Sequence, residues 1–302
     1  MPIININWRN FISGESSTDF TPDGGFSPKS FGLNLTKERG VLHFAENPTD
    51  ISSNLADDIV ATCIDPELSG NDLYLVGDDA HFYRLNGTTL TDVITGGNTY
   101  QLGTSDMIPF EGSFFATSQN AVAMFNNNIG TLTENWWSGL STGVRHPMEV
   151  VETELFIADD NVIYYWDGSA SGTAFTLPTT QNVTTLRRHP DGKTLLAFTG
   201  DAKDFSHGRN GGGKVYYCDP TIRDWTREVV IETQVEGSRT VGGTIYVTFG
   251  DNVGYFDGNG LKFLRKLSNA TTYSQGMNKF EDLFIIRDSN TVKAFGDLGP
   301  RS

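Results

Sequence analysis

Short apolar runs recur along the chain at nearly even intervals, separated by polar turns. They are Leu73-Tyr74-Leu75-Val76, Phe114-Phe115-Ala116, Leu155-Phe156-Ile157, Leu195-Leu196-Ala197-Phe198, Ile245-Tyr246-Val247 and Leu283-Phe284-Ile285-Ile286. Their first residues lie 41, 41, 40, 50 and 38 positions apart. Each run is too short for a buried helix and is rich in β-branched and aromatic residues, so it reads as a strand covered on both faces. A strand-like segment precedes each run: Ile59 to Ile64, Met107 to Phe110, Met148 to Val151, Thr185 to Arg188, Arg239 to Val241 and Gln275 to Asn278. After a turn such as Gly77-Asp78-Asp79 or Asp159-Asp160-Asn161 comes a third, alternating strand, as in Val162 to Trp166 and Val253 to Phe256. Asn86-Gly87, Asp167-Gly168 and Asp257-Gly258 then suit tight hairpins that need positive φ, and they lead into fourth strands such as Trp225 to Ile231 and Leu261 to Leu267.

Four strands per ~40 residues is the period of a propeller blade, and His189-Pro190-Asp191-Gly192-Lys193 resembles a turn common between the first two strands of such blades. The sequence therefore predicts an all-β, six-bladed β-propeller. The sixth repeat ends at Gly296 and leaves six residues, too few for a fourth strand. An open ring would expose two pairing edges, so a closing strand is expected from residues 33–45, around Gly40-Val41-Leu42-His43-Phe44. This divides the chain into an extended arm, residues 1–32, and a propeller, residues 33–302. The arm carries Trp8, Phe11, Phe20 and Phe26 among Gly, Pro, Ser and Asn, too many aromatics for a solvated linker. It is expected to pack on its own propeller or on a neighbouring subunit.

Composition changes this picture in three respects. The formal net charge of −15 disfavours nucleic acid and anionic membranes as partners. No stretch approaches the ~20 apolar residues of a membrane helix, and Met1 to Asn10 has no secretory signal pattern, so neither membrane insertion nor secretion is expected. Cys63 and Cys218 have neither a second cysteine nor a histidine at zinc-ligand spacing, and read as buried free thiols.

Candidate chemistry is sparse. Gly208 to Val215 has the spacing of a phosphate-binding loop up to Lys214, but Val215 lacks the hydroxyl that binds Mg²⁺, and a strand follows where a helix is required. The longest repeat spacing places an insertion at Thr199 to Gly213. There Lys203, His207 and Arg209 make the chain less acidic and suit a partner contact or a solvated loop. Carboxylates recur at the turns between second and third strands (Asp78-Asp79, Asp159-Asp160, Asp201, Asp251, Asp288). Convergent carboxylates could bind Ca²⁺ or do acid–base work, yet the same recurrence follows from turn chemistry alone. The five histidines show no ligand spacing, and no nucleophile elbow surrounds a serine. No enzymatic activity, metal or cofactor is expected. Trp136 and Trp137 follow a short fourth strand at Ile129 to Leu132. Adjacent residues in a regular strand face opposite sides, so at most one of the pair can enter the core. The other, represented by Trp137, would meet a partner or a sugar, or cover a blade seam.

The opening Trp8-Arg9-Asn10-Phe11-Ile12-Ser13-Gly14, with Gly24-Gly25-Phe26-Ser27-Pro28-Lys29-Ser30-Phe31-Gly32-Leu33-Asn34-Leu35 and Arg39-Gly40-Val41-Leu42, resembles the start of bacteriophage virion proteins that carry propellers behind an extended arm. The resemblance implies a structural tail subunit, such as a hub or nozzle component. It would be assembled in the host cytoplasm and placed in a symmetric ring with copies of itself and other virion proteins. A propeller that binds a host-surface receptor or glycan, and a Ca²⁺-dependent propeller hydrolase, are the rival readings.

Overall fold

The computed structural model describes residues 33–34, 43–44, 59–64, 73–77, 79–86, 89–93, 106–126, 131–201, 212–267, 277–280, 283–288 and 291–295. Strands β1 (Leu33–Asn34) and β2 (His43–Phe44) come first. Blade one comprises β3 (Ile59–Ile64), β4 (Leu73–Gly77), β5 (Phe82–Asn86) and β6 (Thr89–Asp92). Blade two comprises β7 (Met107–Phe110), β8 (Ser113–Thr117), β9 (Ala121–Asn126) and β10 (Thr131–Ser138). Blade three follows with β11 (Met148–Val151), β12 (Glu154–Asp159), β13 (Val162–Trp166) and β14 (Ser171–Thr176). Blade four holds β15 (Gln181–Arg188), β16 (Leu195–Asp201), β17 (Gly213–Asp219) and β18 (Asp224–Ile231). Blade five holds β19 (Gly237–Val241), β20 (Thr244–Phe249), β21 (Asn252–Phe256) and β22 (Leu261–Lys266). Each is an antiparallel meander paired in chain order, and no helix occurs among the described residues. The architecture is a β-propeller.

The expectation of six blades is corrected to five. The last repeat forms a three-stranded sheet, β23 (Met277–Phe280), β24 (Leu283–Asp288) and β25 (Thr291–Phe295). The strand expected to complete it is engaged elsewhere: β1 and β2 pair with each other, Leu33 opposite Phe44 and Asn34 opposite His43. A two-stranded ribbon satisfies those backbone groups locally, and among the described residues neither strand pairs with β25.

The apolar runs are the second strands, as their composition requires. Successive side chains in a strand point to opposite faces, so each run from blade two to blade five supplies two seams at once. In β16, Leu195 and Ala197 join the seam with blade three, while Leu196 and Phe198 join the seam with blade five. In β12, Phe156 and Ala158 face blade four, whereas Leu155 and Ile157 face blade two. Tyr74 and Val76 of blade one meet Phe114 and Ala116 of blade two, and Phe284 and Ile286 of β24 meet Val241 and Val253 of blade five. Five apolar clusters thus join the successive sheets. The outermost strands, β6, β10, β14, β18 and β22, are largely exposed. The first strands pack side by side in the order β3, β7, β11, β15, β19, β23, which places them innermost, around the axis.

Turn chemistry follows the sequence closely. Gly168 and Gly258 take φ of 91° and 90° in the Asp-Gly hairpins. Asp191 in the β15–β16 turn accepts the Lys193 and Thr194 N–H groups at 2.8 and 2.9 Å. Val215 lies on β17, buried in the seam with blade five, so the segment after Gly213 is a strand and not the helix of a phosphate-binding loop.

Phe198→Ala should cost about 3–5 kcal/mol in urea-induced unfolding, because it opens a cavity in a seam, whereas Phe263→Ala on the exposed face of β22 should stay within about 0.5 kcal/mol. Cys218 is fully buried in the seam of blades three and four, and burial, followed by the nearby Asp224 charge, pushes its thiol up to about 12. In a Cys63→Ser background it should resist a thiol reagent in the folded protein and react on addition of denaturant.

Candidate functional site

The axis is polar. On β15, Arg187 donates from Nε to the Ser238 carbonyl of blade five at 2.8 Å, with Nη2 on the same oxygen, and from Nη1 to Glu149 Oε2 of blade three at 3.3 Å. Its guanidinium is buried and takes a further acceptor from the Leu186 carbonyl at 2.7 Å. Thr185 and Ser238 share a hydroxyl–hydroxyl hydrogen bond at 2.8 Å. Arg145, on the lead-in to β11, reaches the Glu236 carbonyl on the lead-in to β19 at 2.6 Å, passing blade four altogether. His146 is buried beside it, with Nε2 at 3.0 Å from the Ser141 carbonyl and Nδ1 at 3.2 Å from the Ala158 carbonyl and 3.6 Å from Asp159 Oδ1. These contacts tie three blades together around one centre. Their groups already serve one another, which describes a structural clasp.

Further out, cations lock the seams. Arg223, in the β17–β18 turn, forms a two-pronged pair with Glu154 of blade three and lies 3.9 Å from the Tyr165 ring centroid. Arg227 lies 4.9 Å from the Tyr217 centroid and donates to the Gly258 carbonyl and Asn259 Oδ1 of blade five at 3.0 and 2.9 Å. Two of the recurrent turn carboxylates are likewise engaged: Asp79 accepts the His81 N–H, and Asp159 accepts the Ser141 N–H, each at 3.0 Å. Asp160 is raised above the usual carboxylate range, by burial first and by neighbouring Asp159 second. Among the described residues, no three or more His, Cys, Asp or Glu side chains converge as they would on a metal ion.

The feature best suited to an external partner is an aromatic ledge between the outer parts of blades two and three. The fourth strand of blade two runs through both tryptophans, and this corrects the expectation that they face opposite sides. Thr133 pairs with Met124 and Trp137 with Val122, so Glu134, Asn135 and Trp136 all stand against Ala123 alone. That bulge rotates the strand between the two rings and cancels their alternation. Both now face blade three. Trp136 packs edge-on against Phe115 and Trp166 at 5.0 and 4.8 Å between centroids, and Trp137 against Tyr164 at 5.6 Å. Trp136, Trp137, Tyr164 and Trp166 are each only partly buried. On β14, Thr173 is paired with Tyr164 and Ser171 with Trp166, which puts two exposed hydroxyls beside the rings.

Of the residues singled out from the sequence, Trp137 is thus in the ledge. Trp8, Phe11, Phe20, Phe26, Lys203, His207 and Arg209 lie outside the described residues. Trp136, Trp166 and Tyr164 were not anticipated as its companions. The signal was indirect: an aromatic strand, Tyr164-Tyr165-Trp166, in the repeat that follows the Trp pair.

No protein-family model and no curated protein matches this chain. Solved structures do. The WD40 β-propeller domain of Doa1 aligns over 78% of this chain and 77% of its own length, at a TM-score of 0.55 and 14% identity. The fold is that of a propeller. The GH74 enzyme of Niastella koreensis aligns over 81% of this chain and 46% of its own, at a TM-score of 0.55 and 16% identity. Hydrazine synthase of Kuenenia stuttgartiensis gives 82% and 79%, a TM-score of 0.54 and 13% identity. Likeness at such low identity establishes architecture and leaves function to the site.

Arg187→Met should cost about 3–5 kcal/mol, because Glu149 and the Ser238 carbonyl lose a buried partner together. Glu149→Gln, which keeps an acceptor on the guanidinium, should cost clearly less. Thermal and urea unfolding of the two single variants and the double variant measure the coupling.

Proposed function

We propose that the chain is a non-enzymatic structural protein of a bacteriophage tail, assembled in a symmetric ring with copies of itself and with other virion proteins. The aromatic ledge carries the binding part of this reading. Large, half-exposed rings held rigid by a bulge and by their neighbours lose little conformational entropy when a partner covers them, and Trp and Tyr are the residues that anchor interfaces. The clasp at the axis supports a scaffolding role, since its cations, the buried Arg187 and the partly buried Arg145, link blades three, four and five. Assignment to a tail draws on the resemblance of residues 8–42 to phage virion propellers. An acidic surface is compatible with a conduit that must not retain passing DNA.

A second reading, receptor or glycan binding, is favoured by one observation: the exposed hydroxyls of Ser171 and Thr173 beside the ledge, which would serve sugar hydroxyls while the rings meet the sugar's apolar face.

Sedimentation of the purified chain, alone and with virion proteins encoded beside it, tests the proposal. The wild type should form a defined oligomer or co-complex, and Trp137→Ala should weaken it by about tenfold or more while the chain stays folded. A wild-type chain that stays monomeric and captures none of those proteins would count against the tail reading. Binding on a glycan array that disappears in Trp137→Ala would shift the assignment to the second reading.

A further inference from the structure

Blade five carries a groove of about 450 Å³ on its rim, between its own β19–β20 and β21–β22 turns and the Pro190 turn of blade four. It shares no lining residue with the ledge or with the axial clasp. We infer that this groove is a binding site for a neutral saccharide. Its volume falls in the range of small-molecule sites, roughly 300–1,000 Å³, and suits one or two sugar rings.

The apolar wall is built by pairing and by a bulge. Tyr246 and Tyr255 are directly opposite on β20 and β21, so their rings stand side by side on one face. Tyr246 is held in place by Phe284, stacked at 4.7 Å with an interplanar angle of 3°. On β22, Phe263 pairs with Gly254 and Arg265 with Val253, leaving Leu264 as the extra residue. The bulge turns Leu264 out of the ladder's alternation and onto the groove, where it is 41% exposed. Two tyrosines and a leucine side by side make a surface that fits the C–H face of a pyranose ring.

The polar wall consists of Thr244, His189 and Asp257. The Asp257 carboxylate accepts the Asn259 and Gly260 N–H groups, both at 2.9 Å, and pairs with Lys262 at 3.2 Å. Those partners, the Asn259 N–H foremost, hold it below the usual carboxylate range, so it persists as an acceptor for hydroxyl groups. His189 is paired with Asp191 at 3.0 Å. The Asp257 carboxylate therefore already has its counter-charge in place and offers little to a cationic ligand. An anion would also meet Asp257 and a chain of net charge −15. A wholly apolar ligand would strip water from Asp257 and Thr244 without returning a hydrogen bond. A ring with one apolar face and a girdle of hydroxyls satisfies both walls.

Saturation-transfer NMR on the full chain tests this with glucose, galactose, N-acetylglucosamine and cellobiose as neutral probes and glucuronate as the anionic one. At least one neutral sugar should bind with Kd on the order of 1 mM. Tyr255→Ala should raise that Kd by about tenfold. Leu264→Trp, which fills the groove and leaves its walls in place, should abolish binding even if Tyr255→Ala proves unstable, and Trp137→Ala should leave it unchanged. The inference is overturned if no neutral sugar binds, if glucuronate binds in preference, or if Leu264→Trp binds as the wild type does. Loss of binding in Trp137→Ala alone would overturn it too, and would place the sugar on the ledge.

Discussion

The second strand of each blade must bury both of its faces, and every other feature of the molecule answers to that demand. A lone four-stranded sheet can cover neither face, so the stable object is a stack in which each sheet is sandwiched by two others. Alternation assigns Leu195 and Ala197 to one neighbour and Leu196 and Phe198 to the next, and the same division recurs at Leu155 to Ala158. Side chains therefore grow more polar in two directions away from the middle of the blade. Outward they meet solvent, and inward they meet the axis, where Glu149, Arg187, Thr185 and Ser238 find partners among themselves.

Much of this was legible in the sequence, because burial on two faces leaves a mark that needs no alignment: a short run without polar interruption. The runs at Leu73, Phe114, Leu155, Leu195, Ile245 and Leu283 mark the second strands of all six sheets, and the Asp-Gly pairs mark hairpins where positive φ is required. The number of complete blades was not legible. A strand's partner is a matter of three-dimensional proximity, and β1 pairs with β2, close by in the sequence, a partner that periodicity cannot rank against a distant edge. The Trp pair failed for a related reason. Period-2 reasoning assumes an unbroken ladder, and the bulge at Glu134 to Trp136 has no compositional signature.

Arg187 shows a different limit. In Thr185-Leu186-Arg187-Arg188 it looks like any strand cation, and nothing nearby indicates that it is buried while Arg188 is exposed. Its acceptors on the neighbouring blades lie 38 and 51 positions away. Only the placement of first strands around a common centre explains why a charge is tolerated there. The candidate sites behave alike: Trp137 stood out by itself, but its companions Tyr164 and Trp166 come from the next blade, and the groove on blade five depends on a bulge at Leu264. Sites assembled across seams are invisible to any reading that proceeds along the chain.

The guanidinium on β15 takes acceptors from the sheets on either side of it at once. Peeling away either sheet would leave a cation stranded in a medium that cannot solvate it, and the remaining partner would be left with half its bonding. Blades three, four and five thus rise and fall as one cooperative unit, against which local fraying at the outer strands is energetically minor. Such a keystone lets the outer strands loosen while the centre holds its shape.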